Sequence, residues 1–184
     1  MIVIGITGTS GAGKGTIVDY LVKNKKFKHF SVGNFIKAQV VKKGLEANRD
    51  NLILIGNEIR TKFGPDYITQ KLFEKAKESG CDSIIESIRN PKEAIFIKNN
   101  NGYLFAVNAD QKKRYERIIK RGTGKDNVTF EEFTAQEKKE SISTDPNAQN
   151  LKKCMLLSDY KFDNNGGIAK LYEEVERVIG KIKK

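Results

Sequence analysis

Apolar and polar positions follow two rhythms along these 184 residues. Short apolar runs recur at Ile2-Val3-Ile4-Gly5-Ile6-Thr7, His29-Phe30-Ser31-Val32, Ser83-Ile84-Ile85-Glu86, Tyr103-Leu104-Phe105-Ala106-Val107 and Tyr160-Lys161-Phe162-Asp163. Runs of this length suit buried strands. Between them the apolar residues fall at helical spacing. Ile17, Val18, Leu21 and Val22 mark one helix, and Phe35, Ile36, Val40 and Val41 a second that Gly44 stops. Leu52, Ile53, Ile55, Ile59 and Phe63 mark a third, ended by Gly64-Pro65. A fourth runs from about residue 67 to 79 behind Asp66 and stops at Gly80, and Pro91 opens a fifth. Asp110 starts a basic helix through Arg121, and Ile168, Leu171, Val175, Val178 and Ile179 mark the last. This β-α-β-α alternation predicts an α/β fold, a five-stranded mainly parallel sheet with helices on both faces. No repeat or low-complexity linker interrupts it, so residues 1–184 read as a single domain.

One segment breaks the rhythm. From Gly122-Thr123-Gly124 to about Asn150 the chain is polar and charged, with one helix expected near Phe130 to Lys139. Glycine hinges and few apolar residues predict a small lid over residues 122–150.

The first strand runs straight into Gly8-Thr9-Ser10-Gly11-Ala12-Gly13-Lys14-Gly15-Thr16. A glycine-rich turn between a buried strand and a helix points several backbone N–H groups at one spot, where the helix dipole also favours an anion. Lys14 adds a positive charge there. The glycines at 8, 11, 13 and 15 are expected to take positive φ and let phosphate oxygens approach. The pattern G-x-x-x-x-G-K-S/T is met through Lys14, but Gly15 stands where the hydroxyl is usual and Thr16 follows one place later. The loop is expected to bind nucleotide phosphates through Gly8, Gly11, Ala12, Gly13, Lys14, Gly15 and Thr16. Ligands of parallel α/β sheets sit beyond the carboxyl ends of the strands, so Ser31, Glu86 and Arg89 are expected around the same crevice.

Charge and composition change this picture little. A net charge of +11 suits an anionic small substrate or a nucleic acid, and does not choose between them. The excess is scattered lysine, including Lys23, Lys25, Lys26, Lys42, Lys43, Lys181, Lys183 and Lys184, without an arginine run interleaved with aromatics. A solvated surface is favoured over a nucleic acid track. No run is long enough to cross a bilayer, and Met1 begins the first strand directly, without a signal peptide. Cys81 and Cys154 lack metal-ligand spacing and point to free thiols and a cytoplasmic location. His29, the single histidine, rules out a histidine metal cluster and is expected to pack at a strand end. Arg114, Arg117 and Arg121 stack on one stripe of their helix, beside an apolar side made by Tyr115, Ile118 and Ile119.

With these residues in view, the chain resembles the nucleoside monophosphate kinase group of P-loop proteins, adenylate kinase-like and dephospho-CoA kinase-like enzymes. Gly8 to Thr16 is similar to the adenylate kinase loop, including its G-K-G-T ending. Ser31-Val32-Gly33-Asn34-Phe35-Ile36-Lys37 resembles I-S-x-G-D-x-x-R, with Asn34 for the acidic residue and Lys37 for the arginine. Ile85-Glu86-Ser87-Ile88-Arg89 resembles D-G-F-P-R, with Glu86 replacing the aspartate. Gly56-Asn57-Glu58-Ile59-Arg60 with Phe63-Gly64-Pro65-Asp66-Tyr67 looks like phage-type deoxynucleotide kinases and dephospho-CoA kinase-like proteins. Ser158-Asp159-Tyr160 through Asp163-Asn164-Asn165-Gly166 is similar to the dephospho-CoA kinase ending A-D-x-x-I-x-N-x-G.

The resemblance implies a three-layer P-loop kinase fold that uses ATP and Mg²⁺, with residues 33–80 as an acceptor-binding helical segment. It implies that Lys14 and the loop amides hold the donor phosphates, and that Thr16 and Glu86 serve the metal. Ser31, Lys37, Arg60 and Arg89 would bind the acceptor phosphate, while Arg117 and Arg121 would neutralise the transferring group. The D-A-D after strand two, whose aspartate serves a hydroxyl acceptor, is absent. Arginines without an obvious base suit a monophosphate acceptor, whose nucleophilic oxygen is already an anion. The alternatives are a dephospho-CoA kinase-like enzyme acting on a hydroxyl and a nucleotide-binding regulatory or nucleic acid-associated protein. The base and sugar of the acceptor and the oligomeric state stay open.

Overall fold

In the computed structural model, which describes residues 1–122 and 128–183, five parallel strands form one sheet. They are β1 (Val3–Gly8), β2 (Lys28–Ser31), β3 (Ser83–Glu86), β4 (Tyr103–Asn108) and β5 (Tyr160–Asp163), in the spatial order β2-β3-β1-β4-β5. β1 lies at the centre because its six residues are all buried and can face helices on both sides. Its register sets Ile6 beside Glu86, and Ser31 also lies beside Glu86. The carboxyl ends of β1, β2 and β3 therefore finish level, and the segments leaving them share one crevice. The fold is the predicted one.

Helices cover both faces. On one, α1 (Lys14–Lys25) and α9 (Ile168–Ile182) pack Ile17, Leu21, Leu171 and Val175 against Ile4, Ile6, Ile84 and Phe105. On the other, α2 (Val32–Lys42), α3 (Arg49–Phe63), α4 (Tyr67–Glu78) and α5 (Pro91–Asn99) enclose Val3, Ile85, Ile88 and Leu104. α5 starts where Pro91 was expected to open a helix, behind a capping box in which Asn90 and Glu93 satisfy each other's segments.

α6 (Gln111–Arg121) and α7 (Phe130–Ser141) meet through Tyr115, Phe130 and Phe133, whose rings lie 5.3 to 6.4 Å apart. α7 begins where the helix within the polar segment was expected. The carboxyl end of the polar segment is hydrogen-bonded to the body of the fold. Asn90 Nδ2 donates to the carbonyls of Pro146 and Ala148, both at 2.8 Å, and Asn150 N donates to Arg89 O at 2.8 Å. Residues 146–150 are thus tied to the β3–α5 junction. Thr123 and Gly124, two of the expected hinge residues, lie outside the described residues. A further helix, α8 (Leu151–Leu157), follows at once and buries Leu151 and Cys154.

Gly180 lies within α9, exposed, with nothing within 4 Å of the Cβ it lacks. Gly180→Ala is expected to stabilise the fold by about 0.5–1 kcal/mol, because alanine relieves the backbone entropy cost of a helical glycine without a clash. Thermal unfolding should then shift upward by roughly 2–4 °C.

Candidate active site

A cleft of about 780 Å³ opens at the carboxyl end of the sheet. It is lined by residues of the glycine-rich loop, the start of α1, both ends of the β3–α5 connection, α2, α3 and α6. Among the residues singled out from sequence, Gly11, Gly13, Lys14, Gly15, Thr16, Ser31, Lys37, Arg60, Glu86, Arg89, Arg117 and Arg121 all line it. Ala12 does not, being fully buried beneath the loop, and Gly8 lies at the end of β1.

The loop is shaped by close approach. Gly13, with φ of 103°, caps α1, and a Cβ there would lie 2.2 Å from Asn164 Nδ2. That amide donates to Ala12 O at 2.8 Å, so the turn after β5 clamps the loop from behind. Gly15 differs from the expectation. It lies in the first turn of α1 with nothing within 4 Å of an added Cβ, and its backbone is not left-handed. The positive φ values of this loop belong to residues 8, 11 and 13. Lys14 Nζ folds over the loop and donates to Gly8 O and Thr9 O, both at 2.8 Å.

Burial, followed by the nearby Arg89 guanidinium, lowers the Lys14 ammonium from 10.5 to about 8. Holding a phosphate tail requires the charged form. Nucleotide affinity is therefore expected to be flat in this group below pH 8 and to fall above it, approaching tenfold per pH unit. Fluorescence titration between pH 7 and 9.5 measures this, and Lys14→Met should abolish the slope. The sign for folding is opposite. Between pH 8 and 10.5 the unfolded chain holds the extra proton, so this residue's contribution to stability rises with pH across that window.

Opposite the loop, Ser31 ends β2 and caps α2, its Oγ accepting from Asn34 N at 3.2 Å. The amino terminus of α2 therefore opens into the cleft beside Lys37. Glu86 ends β3. His29 does more than pack at a strand end, since its Nε2 lies 3.0 Å from Glu86 Oε2. Burial pushes the Glu86 carboxyl up, but the bond to His29 and the charges of His29, Lys14 and Arg89 outweigh it and hold the group below its usual range.

Arg89 reaches the cleft from a loop whose backbone is pinned from Ile88 to Asn90. Arg89 N and Asn90 N donate to Glu93 Oε2 at 2.8 and 2.9 Å, and Thr7 Oγ1 donates to Ile88 O at 2.7 Å. Its Nη1 donates to Glu140 Oε2 at 2.8 Å and to Gln149 Oε1 at 3.0 Å. Glu140, at the end of α7 and only 8% exposed, is a site residue that sequence reasoning missed. A signal existed, because Phe133 and Glu140 are seven residues apart and so share the buried stripe of α7. With Asp19 and Glu86 it gives the cleft three carboxylates, so the expected absence of an obvious base is revised.

The basic stripe of α6 divides its labour. Arg114 is buried and structural: Nε donates to Ala109 O at 2.8 Å, Nη1 to Ser10 O at 3.3 Å, and both Nη atoms engage Glu137 of α7. Arg117 donates through Nη2 to Asn164 O at 2.8 Å, while its buried Nη1 has no hydrogen-bond partner among the described residues. Arg121 lines the cleft mouth one turn further on. Arg60 lines the opposite wall but is 2% exposed and faces Glu93, with Nη2 3.7 Å from Oε1.

The described residues contain no group of three or more His, Cys, Asp or Glu side chains that would cage a metal. Mg²⁺ at phosphate-transfer sites needs less, one or two protein oxygens completed by phosphates and water. The Thr16 hydroxyl and the Glu86 carboxylate, whose Oε1 carries no hydrogen bond among the described residues, fit that requirement.

The sequence profile of the AAA domain family matches residues 4–141. A UPF0200 protein of Methanothermobacter thermautotrophicus is 28% identical over 99% of this chain and 91% of its own. Another, from Methanocaldococcus jannaschii, is 30% identical over 76% of this chain and 73% of its own. Among solved structures, a Thermus thermophilus protein superposes with a TM-score of 0.63 at 17% identity, covering 98% of this chain and 97% of its own. Shikimate kinase from Acinetobacter baumannii, solved with shikimate, gives 0.60 at 14% identity over 99% and 93%. At these identities the structures speak for the fold alone, a P-loop kinase-like fold. The loop from Gly8 to Thr16 lies wholly inside the matched span, and the chain belongs to the AAA domain family of P-loop proteins and to the UPF0200 proteins.

Proposed function

We propose that the protein is an ATP-dependent kinase that transfers the γ-phosphoryl group to a nucleoside or deoxynucleoside monophosphate. The observation that carries this reading is the two-ended cleft. The glycine-rich loop and Lys14 form one end, Arg89, Lys37 and the amino terminus of α2 the other, and Arg117 and Arg121 lie along α6. Two anion sites facing each other suit two phosphate groups brought into line, where positioning and charge neutralisation supply most of the rate.

In this reading the amides from Gly11 to Thr16 and Lys14 hold the donor phosphates. Arg89 grips the acceptor phosphate with Lys37 and Ser31, and the incoming dianion replaces the Glu140 carboxylate as its partner. Arg117 and Arg121 neutralise charge on the transferring group. The Thr16 hydroxyl and, through water, Glu86 would hold Mg²⁺, which when bound neutralises the β and γ oxygens. Helix α7 forms the lid, hinged near Ile142, since residues 146–150 are anchored. Arg60 acts as a wall cation of the acceptor pocket. The unpaired thiols Cys81 and Cys154 accord with a cytoplasmic setting.

One observation favours a second reading, a hydroxyl acceptor. Glu140 places a carboxylate beside Arg89, where a hydroxyl proton would need a base. The deciding assay is Mg-ATP with each ribo- and deoxyribonucleoside monophosphate and with dephospho-CoA, scored as ADP release above the acceptor-free rate. Stimulation by a monophosphate supports the proposal, stimulation by dephospho-CoA alone supports the second reading, and no stimulation by any acceptor removes both.

A further inference from the structure

We infer that His29 is a positioning residue for Glu86, holding its carboxylate away from the two cations of the cleft so that one oxygen stays available. This rests on the reading of Glu86 as the group that orders the water shell of Mg²⁺.

The geometry starts in the sheet. β2 and β3 pair with His29 opposite Ile84 and Ser31 opposite Glu86. Alternation along a strand puts His29, Ser31, Ile84 and Glu86 on one face, with the imidazole one step behind the carboxylate. His29 Nε2 lies 3.0 Å from Glu86 Oε2. An ionised carboxylate only accepts, so Nε2 carries the proton and donates it. Both partners sit on strands, where ladder hydrogen bonds fix their separation.

The cations around Glu86 make that contact consequential. Lys14 and Arg89 both act on its charge, and either would capture a freely rotating carboxylate in an ion pair. Neither does. Lys14 Nζ is spent on Gly8 O and Thr9 O, and Arg89 Nη1 on Glu140 and Gln149. Among the described residues, the one hydrogen bond to the Glu86 side chain comes from His29, and Oε1 has no hydrogen-bond partner. His29 thus commits Oε2 and leaves Oε1. Without it, rotation toward Lys14 would draw the carboxylate into an ion pair and withdraw Oε1 from the water shell of the metal.

The test measures a fluorescent ATP analogue binding to the full chain across a Mg²⁺ titration and in EDTA, for wild type, His29→Ala and His29→Gln. Glutamine keeps an N–H donor near the position of Nε2. His29→Ala is expected to raise the Mg²⁺ midpoint roughly tenfold, as losses behind a metal ligand do, with EDTA binding within about threefold of wild type. His29→Gln should return the midpoint to within about twofold. Nitrogen NMR of the single imidazole should show the Nε2-protonated tautomer in the wild type and a mixed population in Glu86→Gln. An unchanged midpoint in His29→Ala, no Mg²⁺ effect in the wild type, no recovery by His29→Gln at an unchanged melting temperature, or an imidazole protonated at Nδ1 alone each overturns the inference. If the midpoint moves as expected while no monophosphate is phosphorylated, the inference stands and the acceptor assignment falls.

Discussion

Arg89→Ala is expected to lower kcat/KM for the acceptor by roughly 10³-fold or more, by analogy with arginines that neutralise a transferring phosphoryl group. ATP affinity should stay within about threefold of wild type. The loop does not depend on the side chain it loses. Ile88 N donates to Ile6 O at 3.1 Å, Thr7 Oγ1 holds Ile88 O, and Glu93 Oε2 holds Arg89 N and Asn90 N, all through backbone atoms. Arg89→Lys should recover only part of the loss, because an ammonium offers a point charge without the planar fork that matches phosphate. The variant does remove one charged partner of Glu140, which is nearly buried, so a pairing control is needed. Arg89→Ala/Glu140→Gln should restore melting temperature without restoring turnover. Turnover and acceptor KM that survive Arg89→Ala would remove Arg89 from the acceptor site.

Why that arginine was legible in the sequence, and its partner Glu140 was not, follows from how each is placed. Lys14, Thr16, Ser31, Glu86 and Arg89 all lie within a few residues of a strand's carboxyl end. In a parallel sheet that is enough to bring them together, whatever the helices do. The apolar runs that mark those strands are also the strongest local signal in the chain. Glu140 reaches the site from a helix in the segment whose polarity pointed to solvent, and only the seven-residue spacing from Phe133 hints that it turns inward. Asn164 was visible as part of a turn, but its clamp on Ala12 O spans 152 residues and has no local trace. Helix α8 was missed because Leu151 to Leu157 is too short to show periodicity against the polar stretch before it. Its start was signalled by Asn150, whose side chain accepts from Lys153 N at 3.1 Å.

The largest stability effect is expected at Arg60, where sequence reasoning found only a cation for the acceptor. Arg60 is 2% exposed and Glu93 wholly buried, with Nη2 and Oε1 3.7 Å apart. Among the described residues neither Arg60 Nε nor Glu93 Oε1 makes a hydrogen bond, so their mutual charge is what offsets the cost of burying each. Glu93 Oε2 meanwhile anchors the loop that carries Arg89. Arg60→Ala leaves that carboxylate buried beside Cys154, whose thiol burial and Glu93 already push well above its usual range. The expected cost is about 3–5 kcal/mol, as for a buried pair broken on one side, with a fall in melting temperature of roughly 10 °C. Arg60→Ala/Glu93→Gln should recover at least half of it, because the glutamine carbonyl can still accept from Arg89 N and Asn90 N with no charge left to compensate. The same two proteins separate strut from substrate ligand. If Arg60 acts through Glu93, acceptor KM should recover with stability in the double variant. A KM that stays more than about tenfold high once melting is restored would show that the guanidinium itself meets the acceptor across the cleft wall.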